Sequence, residues 1–202
     1  MPRNIAGPVV HGDDLFGRDS FIEQLEAALA HGSVLVSAPR RWGKTSVLQR
    51  LVERDATARY YFDLYPLTRA SDLVAEIAAA TATREERARS WVGELLGRTL
   101  GQIKEVRLFE LAVELRERLA QDPSWEQTGR RALGALSAGT VLVLDEIPVL
   151  VKAILDREPA EASALLHWLR SERQRPGGPV FVFAGSTSLQ EGNYPLDKRT
   201  LR

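Results

Sequence analysis

An α/β fold built on a parallel sheet is predicted by three stretches of the sequence. The first runs from Ser33-Val34-Leu35-Val36-Ser37 through a loop with Pro39 and Gly43 into Lys44-Thr45-Ser46-Val47-Leu48. A short apolar run bounded by turn residues reads as a buried strand, and Val47, Leu48, Leu51 and Val52 recur at helical spacing. The second stretch is Thr140-Val141-Leu142-Val143-Leu144-Asp145-Glu146, and the third is Val180-Phe181-Val182-Phe183-Ala184 after Gly177-Gly178-Pro179. Unbroken apolar runs suit strands covered on both faces, as parallel strands are.

The strand, loop and helix at 33–48 carry the residue types that a polyphosphate needs. Several negative charges call for converging backbone N–H groups, the positive end of a helix and a cation that reaches the outer phosphates. Ala38, Pro39, Arg40, Arg41, Trp42, Gly43, Lys44, Thr45 and Ser46 form that expected loop. Gly43 lets the backbone come close, Lys44 reaches the β and γ phosphates, and the Thr45 hydroxyl completes a Mg²⁺ site. Ser46, in the first helical turn, falls near the α-phosphate. The pattern G-x-x-x-x-G-K-[ST] is met except at Ala38, which stands where the first glycine belongs and restricts the turn. The alternative is a chance Gly-Lys-Thr at a helix start.

Composition sets the limits. With 202 residues, 44% of them apolar and 27% charged, the chain is expected to be globular and to bury roughly 70% of its unfolded surface. It has no cysteine, which excludes disulfides and thiolate metal sites and permits a cytoplasmic location. Neither a signal peptide nor a membrane span is expected. Basic and acidic side chains number 27 each, so no global field favours DNA.

The remaining elements follow in order. A helix is predicted over Asp19–Ala30, capped by Asp19 or Ser20, with Phe21, Ile22, Leu25, Ala28 and Leu29 on one face. The preceding Leu15-Phe16-Gly17-Arg18 either folds over a nucleotide base or packs on the sheet. Ala58–Tyr65 reads as a second strand ended by Pro66, its Asp63 either facing the site or capping a turn. Ala70–Ala82 reads as a crossover helix. From Arg84 to about Gln121 a helical insertion is expected, with one stripe at Leu95, Leu96, Leu100 and Ile103 and another at Leu108, Leu111, Ala112, Leu115 and Leu119. Gly93, Gly97 and Gly101 suggest close helix packing, and a short helix to Leu136 follows. Pro159–Arg173 is predicted helical, and His11, His31 and His167 have no metal-like spacing.

The acids after the second apolar run give the loop its counterpart. A buried strand delivers Asp145 and Glu146 to the carboxyl edge of the sheet. There Asp145 can hold Mg²⁺ through its water and Glu146 can polarise an attacking water, two tasks that need separate carboxylates. Ser186, after the third run, can bond the γ-phosphate or that water, or simply begin a loop. Read alone, the acidic pair is as well explained as structural.

These motifs resemble the ATPase domain of AAA+ and STAND-type prokaryotic ATPases, near the archaeal-ATPase and origin-recognition-like groups. The resemblance rests on LFGRDSFIEQL at 15–25, APRRWGKTSVL at 38–48, VLVLDEIPVL at 141–150, LLHWLRSERQ at 165–174 and FVFAGSTSL at 181–189. It implies a three-layer P-loop sandwich of strand order 5-1-4-3-2, with ATP and Mg²⁺ as ligands. It also implies Lys44 and Thr45 as Walker A, Asp145 and Glu146 as Walker B, and the Ser186 region as sensor 1. One P-loop ATPase domain over 1–202 is expected: arm and first helix 1–32, Walker A half 33–83, insertion 84–136, Walker B and sensor half 137–190, tail 191–202.

The family's fifth strand and helical lid are not found in the sequence. That leaves Val34-Leu35-Val36 at a sheet edge, to be covered by the tail Tyr194–Arg202 or by a partner, a second copy included. Arg199 and Arg202 are candidate arginine fingers by position only, and a solvated tail is the better-favoured alternative. The expected activity is ATP hydrolysis, slow in isolation; a regulatory switch with little turnover and a shortened non-catalytic relative are the alternatives.

Overall fold

The computed structural model describes residues 17–39, 42–100, 107–120, 122 and 124–186. Its contacts divide the chain into two compact units, the first from residues 1–65, 140–149 and 180–202 and the second from 66–139 and 150–179.

The first unit is α/β. Strands β1 (Val34–Ser37), β2 (Arg59–Asp63), β3 (Val141–Asp145) and β4 (Val180–Gly185) form one parallel sheet in the order β1-β4-β3-β2. Val36 lies opposite Ala184, Leu144 opposite Phe183, and Tyr61 opposite Val143. Helices α1 (Asp19–Leu29) and α2 (Lys44–Glu53) cover one face. Ile22, Leu25 and Leu29 repeat at i, i+3 and i+7 on α1, and Val47, Leu48 and Leu51 at i, i+1 and i+4 on α2. Both stripes pack with Val36, Val141, Val143, Val182 and Ala184 of the sheet. Each such side chain removed from water contributes about 1.5–3 kcal/mol. Register therefore matters: a one-residue slip would turn these strand residues away from the two helices.

The second unit is helical. It holds α3 (Ala70–Arg84), α4 (Glu86–Leu96), α5 (Leu108–Leu119), α6 (Trp125–Gly134), most of α7 (Ile147–Arg157), and α8 (Pro159–Gln174). Helix α3 is buried nearly all round and packs against α4, α5 and α6. Its alanines, Ala75, Ala78, Ala79 and Ala82, let these neighbours approach closely. Gly129 of α6 serves the same end, since a Cβ there would sit 2.5 Å from Trp168 Cζ2 and 2.9 Å from Val74 Cγ2.

Several expectations need correction. Helix α1 has no side-chain cap: Arg18 occupies the capping position, and Asp19 instead accepts a 2.9 Å bond from Arg54. Leu95, Leu96 and Leu100 are only half-buried, and α4 buries Ala88, Trp91 and Val92 in their place. Ile103 and Gly101 lie outside the described residues. Gly93 and Gly97 end α4 rather than pack it against another helix. Gly97 turns left-handed (φ +68°) and donates to Glu94 at 3.1 Å, while the Arg98 N–H bonds Gly93 at 2.9 Å. That pair of bonds is a Schellman stop. The strand expected before the two acids is present as β3, which ends at Asp145, and α7 begins at Ile147. Pro148 fits there because the first helical turn has no use for its N–H. Of the predicted stripe, Leu111, Ala112, Leu115 and Leu119 are buried, while Leu108, at the start of α5, is half-buried.

Among the described residues no helix is long and apolar enough to cross a membrane. Strand β1 forms one end of the described sheet, and its Leu35 is 65% exposed. The tail at 194–202, including Arg199 and Arg202, lies outside the described residues, as do Leu15 and Phe16.

Candidate functional site

The carboxyl ends of β1 and β3 bring the two predicted motifs together within the first unit. The loop after β1 is tied to the sheet by Ala38, whose N–H reaches the Gly185 carbonyl at 3.5 Å. Pro39 accepts from the Trp42 N–H at 3.3 Å. Gly43, just before α2, adopts φ +86°, a left-handed conformation that a side chain would strain. Among the described residues, none would lie within 4 Å of a Cβ added there. Arg40 and Arg41 lie outside the described residues.

Trp42 is held from the side. The Arg18 guanidinium lies 3.9 Å from its ring centroid and donates to its carbonyl at 3.0 Å. Phe21 meets the same ring edge-on at 5.4 Å. The described part of the Leu15–Arg18 segment thus packs on the loop.

Lys44 opens α2 with its side chain 5% exposed, and its ammonium donates to both acids, to Asp145 Oδ1 and to Glu146 Oε1 at 3.1 Å. Thr45 Oγ1 donates to Asp145 Oδ2 at 2.8 Å. The same oxygen accepts the Tyr61 hydroxyl at 3.0 Å, and Oδ1 also takes the Glu146 N–H at 3.0 Å. Asp145 is 1% exposed, so these donors stand in for water. Ser46, also buried, lies in the first turn of α2.

Glu146 points differently from Asp145 because its backbone is left-handed, at φ +59°, the one such non-glycine among the described residues. A conformation of this kind costs on the order of 1 kcal/mol and is kept where neighbours enforce it. Its Oε2 accepts from Ser186 Oγ at 3.1 Å and from the Ser186 N–H at 3.4 Å. Gly185 makes that approach possible, since a Cβ there would lie 2.5 Å from both Cδ and Cγ of Pro148. Thr187 and Ser188 lie outside the described residues.

Burial, and then the charge of Asp145, push the Tyr61 hydroxyl well above its ordinary pKa, so it stays a donor. By sequence Tyr61 is one residue of the strand expected over Ala58–Tyr65. Alternation along β2 shows which face it takes, but only the pairing with Val143 shows that it reaches Asp145. Asp63 does not join the cluster; it accepts the Tyr65 N–H at 3.0 Å and caps a turn.

The donor set suits Mg²⁺. One hydroxyl and one carboxylate are hard oxygen donors, and that ion takes one or two protein ligands and fills its shell with phosphates and water. Among the described residues no group of three or more His, Asp or Glu side chains could hold a metal alone. The arrangement offers a helix N-terminus, a cation, a hydroxyl–carboxylate pair and a second carboxylate oriented by a hydroxyl. No protein-family model matches the chain, and no curated protein matches it.

Proposed function

We propose that the chain is a Mg²⁺-dependent ATP-binding protein that hydrolyses the γ-phosphate by water attack, in the manner of the AAA+ and STAND-type ATPases its motifs resemble. One observation carries the reading: Lys44 and Thr45 from one end of the chain meet Asp145, Glu146 and Ser186 from the other. The order β1-β4-β3-β2 supports it, since the resemblance implies 1-4-3-2 within a P-loop sandwich.

In this reading Lys44 exchanges its carboxylate partners for β and γ phosphate oxygens. The N–H groups at the start of α2, near Ser46, hold the inner phosphates. Thr45 and Asp145 would hold Mg²⁺, which would supply charge neutralisation. Glu146 takes the proton of the attacking water, and Ser186 keeps that carboxylate aimed. The activating arginine, worth roughly 10³ to 10⁵ in rate, comes from a lid or a neighbour, so turnover by the chain alone is slow. The setting is cytoplasmic, and a partner or second copy covers the β1 edge. A regulatory switch is the second reading. It is favoured by the hold of both acids on Lys44, which makes nucleotide binding an exchange of partners.

Calorimetric titration with ATP and Mg²⁺ tests the proposal. Lys44→Ala is expected to abolish saturable binding, and Glu146→Gln to keep binding and lose phosphate release. Wild-type turnover in Glu146→Gln would sink its assignment as the base, and binding by both proteins without turnover would favour the switch.

A further inference from the structure

We infer that Tyr61 is a positioning residue for the metal-ligand pair Thr45–Asp145, an inference that rests on the phosphate-loop reading above. Tyr61 sits on β2 opposite Val143, two residues before Asp145 on β3. At about 3.3 Å per residue the phenol must span roughly 6.6 Å along the strand, which its length allows. Its hydroxyl donates to Asp145 Oδ2 at 3.0 Å, the oxygen that also accepts Thr45 Oγ1 at 2.8 Å.

The donors around Asp145 divide by what ligand binding asks of them. Lys44 leaves Oδ1 for phosphate oxygens. Thr45, whose proton is on Oδ2, would serve as a metal ligand. Tyr61 alone among these side chains has no second task. Its ring packs against the core formed by α1, α2 and the sheet, so its hydroxyl is held from behind. When the ammonium departs, Tyr61 and Thr45 together keep the buried carboxylate in one rotamer. Phenylalanine preserves the packing and removes only the donor.

Tyr61→Phe therefore separates metal from nucleotide. Calorimetric titrations of wild type, Tyr61→Phe and Lys44→Ala with ATP are run in EDTA and at a series of Mg²⁺ concentrations. For Tyr61→Phe the metal-free ATP affinity is expected to stay within about twofold of wild type. The Mg²⁺ concentration giving half the gain in affinity should rise about tenfold, the scale of one bond to a charged group. A Mg²⁺ profile identical to wild type would overturn the role of Tyr61 and leave the phosphate loop standing. So would an equal loss with and without metal, which marks mere structural support. Wild-type ATP binding that Lys44→Ala does not diminish would overturn the loop reading and Tyr61 with it.

Discussion

Two acids, one in each unit, are both 1% exposed, and they are buried for different ends. Asp145 in the sheet unit is neutralised by Lys44, itself only 5% exposed and shared with Glu146. Glu172 on α8 is met by Arg130 of α6 at 3.1 Å and by Arg175 at 3.3 Å, whose side chains are 54% and 31% exposed. The cations of Glu172 keep much of their water and tie two helices together. The cation of Asp145 is almost fully buried and is shared between two carboxylates. Charge buried with a wet partner fixes a packing; charge buried with a dry, shared partner describes a site with exchangeable contacts.

The largest expected effect tests that contrast. Lys44→Met leaves two carboxylates, one fully buried, without their cation and should lower unfolding free energy by about 3 kcal/mol. Glu172→Gln leaves two arginines that water can solvate and should cost only about 1 kcal/mol. Urea unfolding of both variants checks the difference. Equal losses would erase the distinction between the two acids.

Two glycines sharpen the comparison at a somewhat smaller scale. Alanine in a helix is ordinarily better than glycine by about 1 kcal/mol. At Gly129 the added Cβ would lie 2.5 Å from buried Trp168, so Gly129→Ala should instead destabilise by roughly 2 kcal/mol. Gly185→Ala meets Pro148 at the same distance and should cost about as much. The readouts part at the site. Gly185→Ala pushes the end of β4 away from Pro148 and loosens Ser186 from Glu146, so on the proposed reading phosphate release should fall. In folded Gly129→Ala it should hold.

These cases also show how far the sequence could be read. The apolar runs at 34–36, 141–144 and 180–184 are strands, and the helical spacings of α1 and α2 mark their buried faces, because burial on a regular element leaves a period. Parallel pairing leaves none, so the contact of Tyr61 with Asp145 waited for the register. Glu172 lies three residues after Leu169, on the apolar stripe of α8, yet its charge alone argues for the surface. The Gly93 and Gly97 spacing reads as packing, whereas the backbone uses it as a stop.

The smallest expected effect lies on the outer face of the sheet unit, where Glu26 of α1 accepts from Arg59 at 2.7 Å and from Arg54 at 3.1 Å. The Arg59 hydrogen bond holds its carboxyl below the ordinary value of 4.5, burial opposes that shift, and Arg54 adds to it. A lowered carboxyl stabilises the folded chain above its unfolded value and loses that contribution as pH falls through the folded one. Glu26→Gln should therefore cost about 0.5–1 kcal/mol at pH 7, the scale of partly exposed pairs. At pH 3 the cost should fade, and added salt at pH 7 should shrink it. Because both arginines keep some contact with water, this pair belongs with Glu172 rather than with Asp145. A penalty at pH 7 as large as that of Lys44→Met would show that a dry, shared cation is not what sets the site apart.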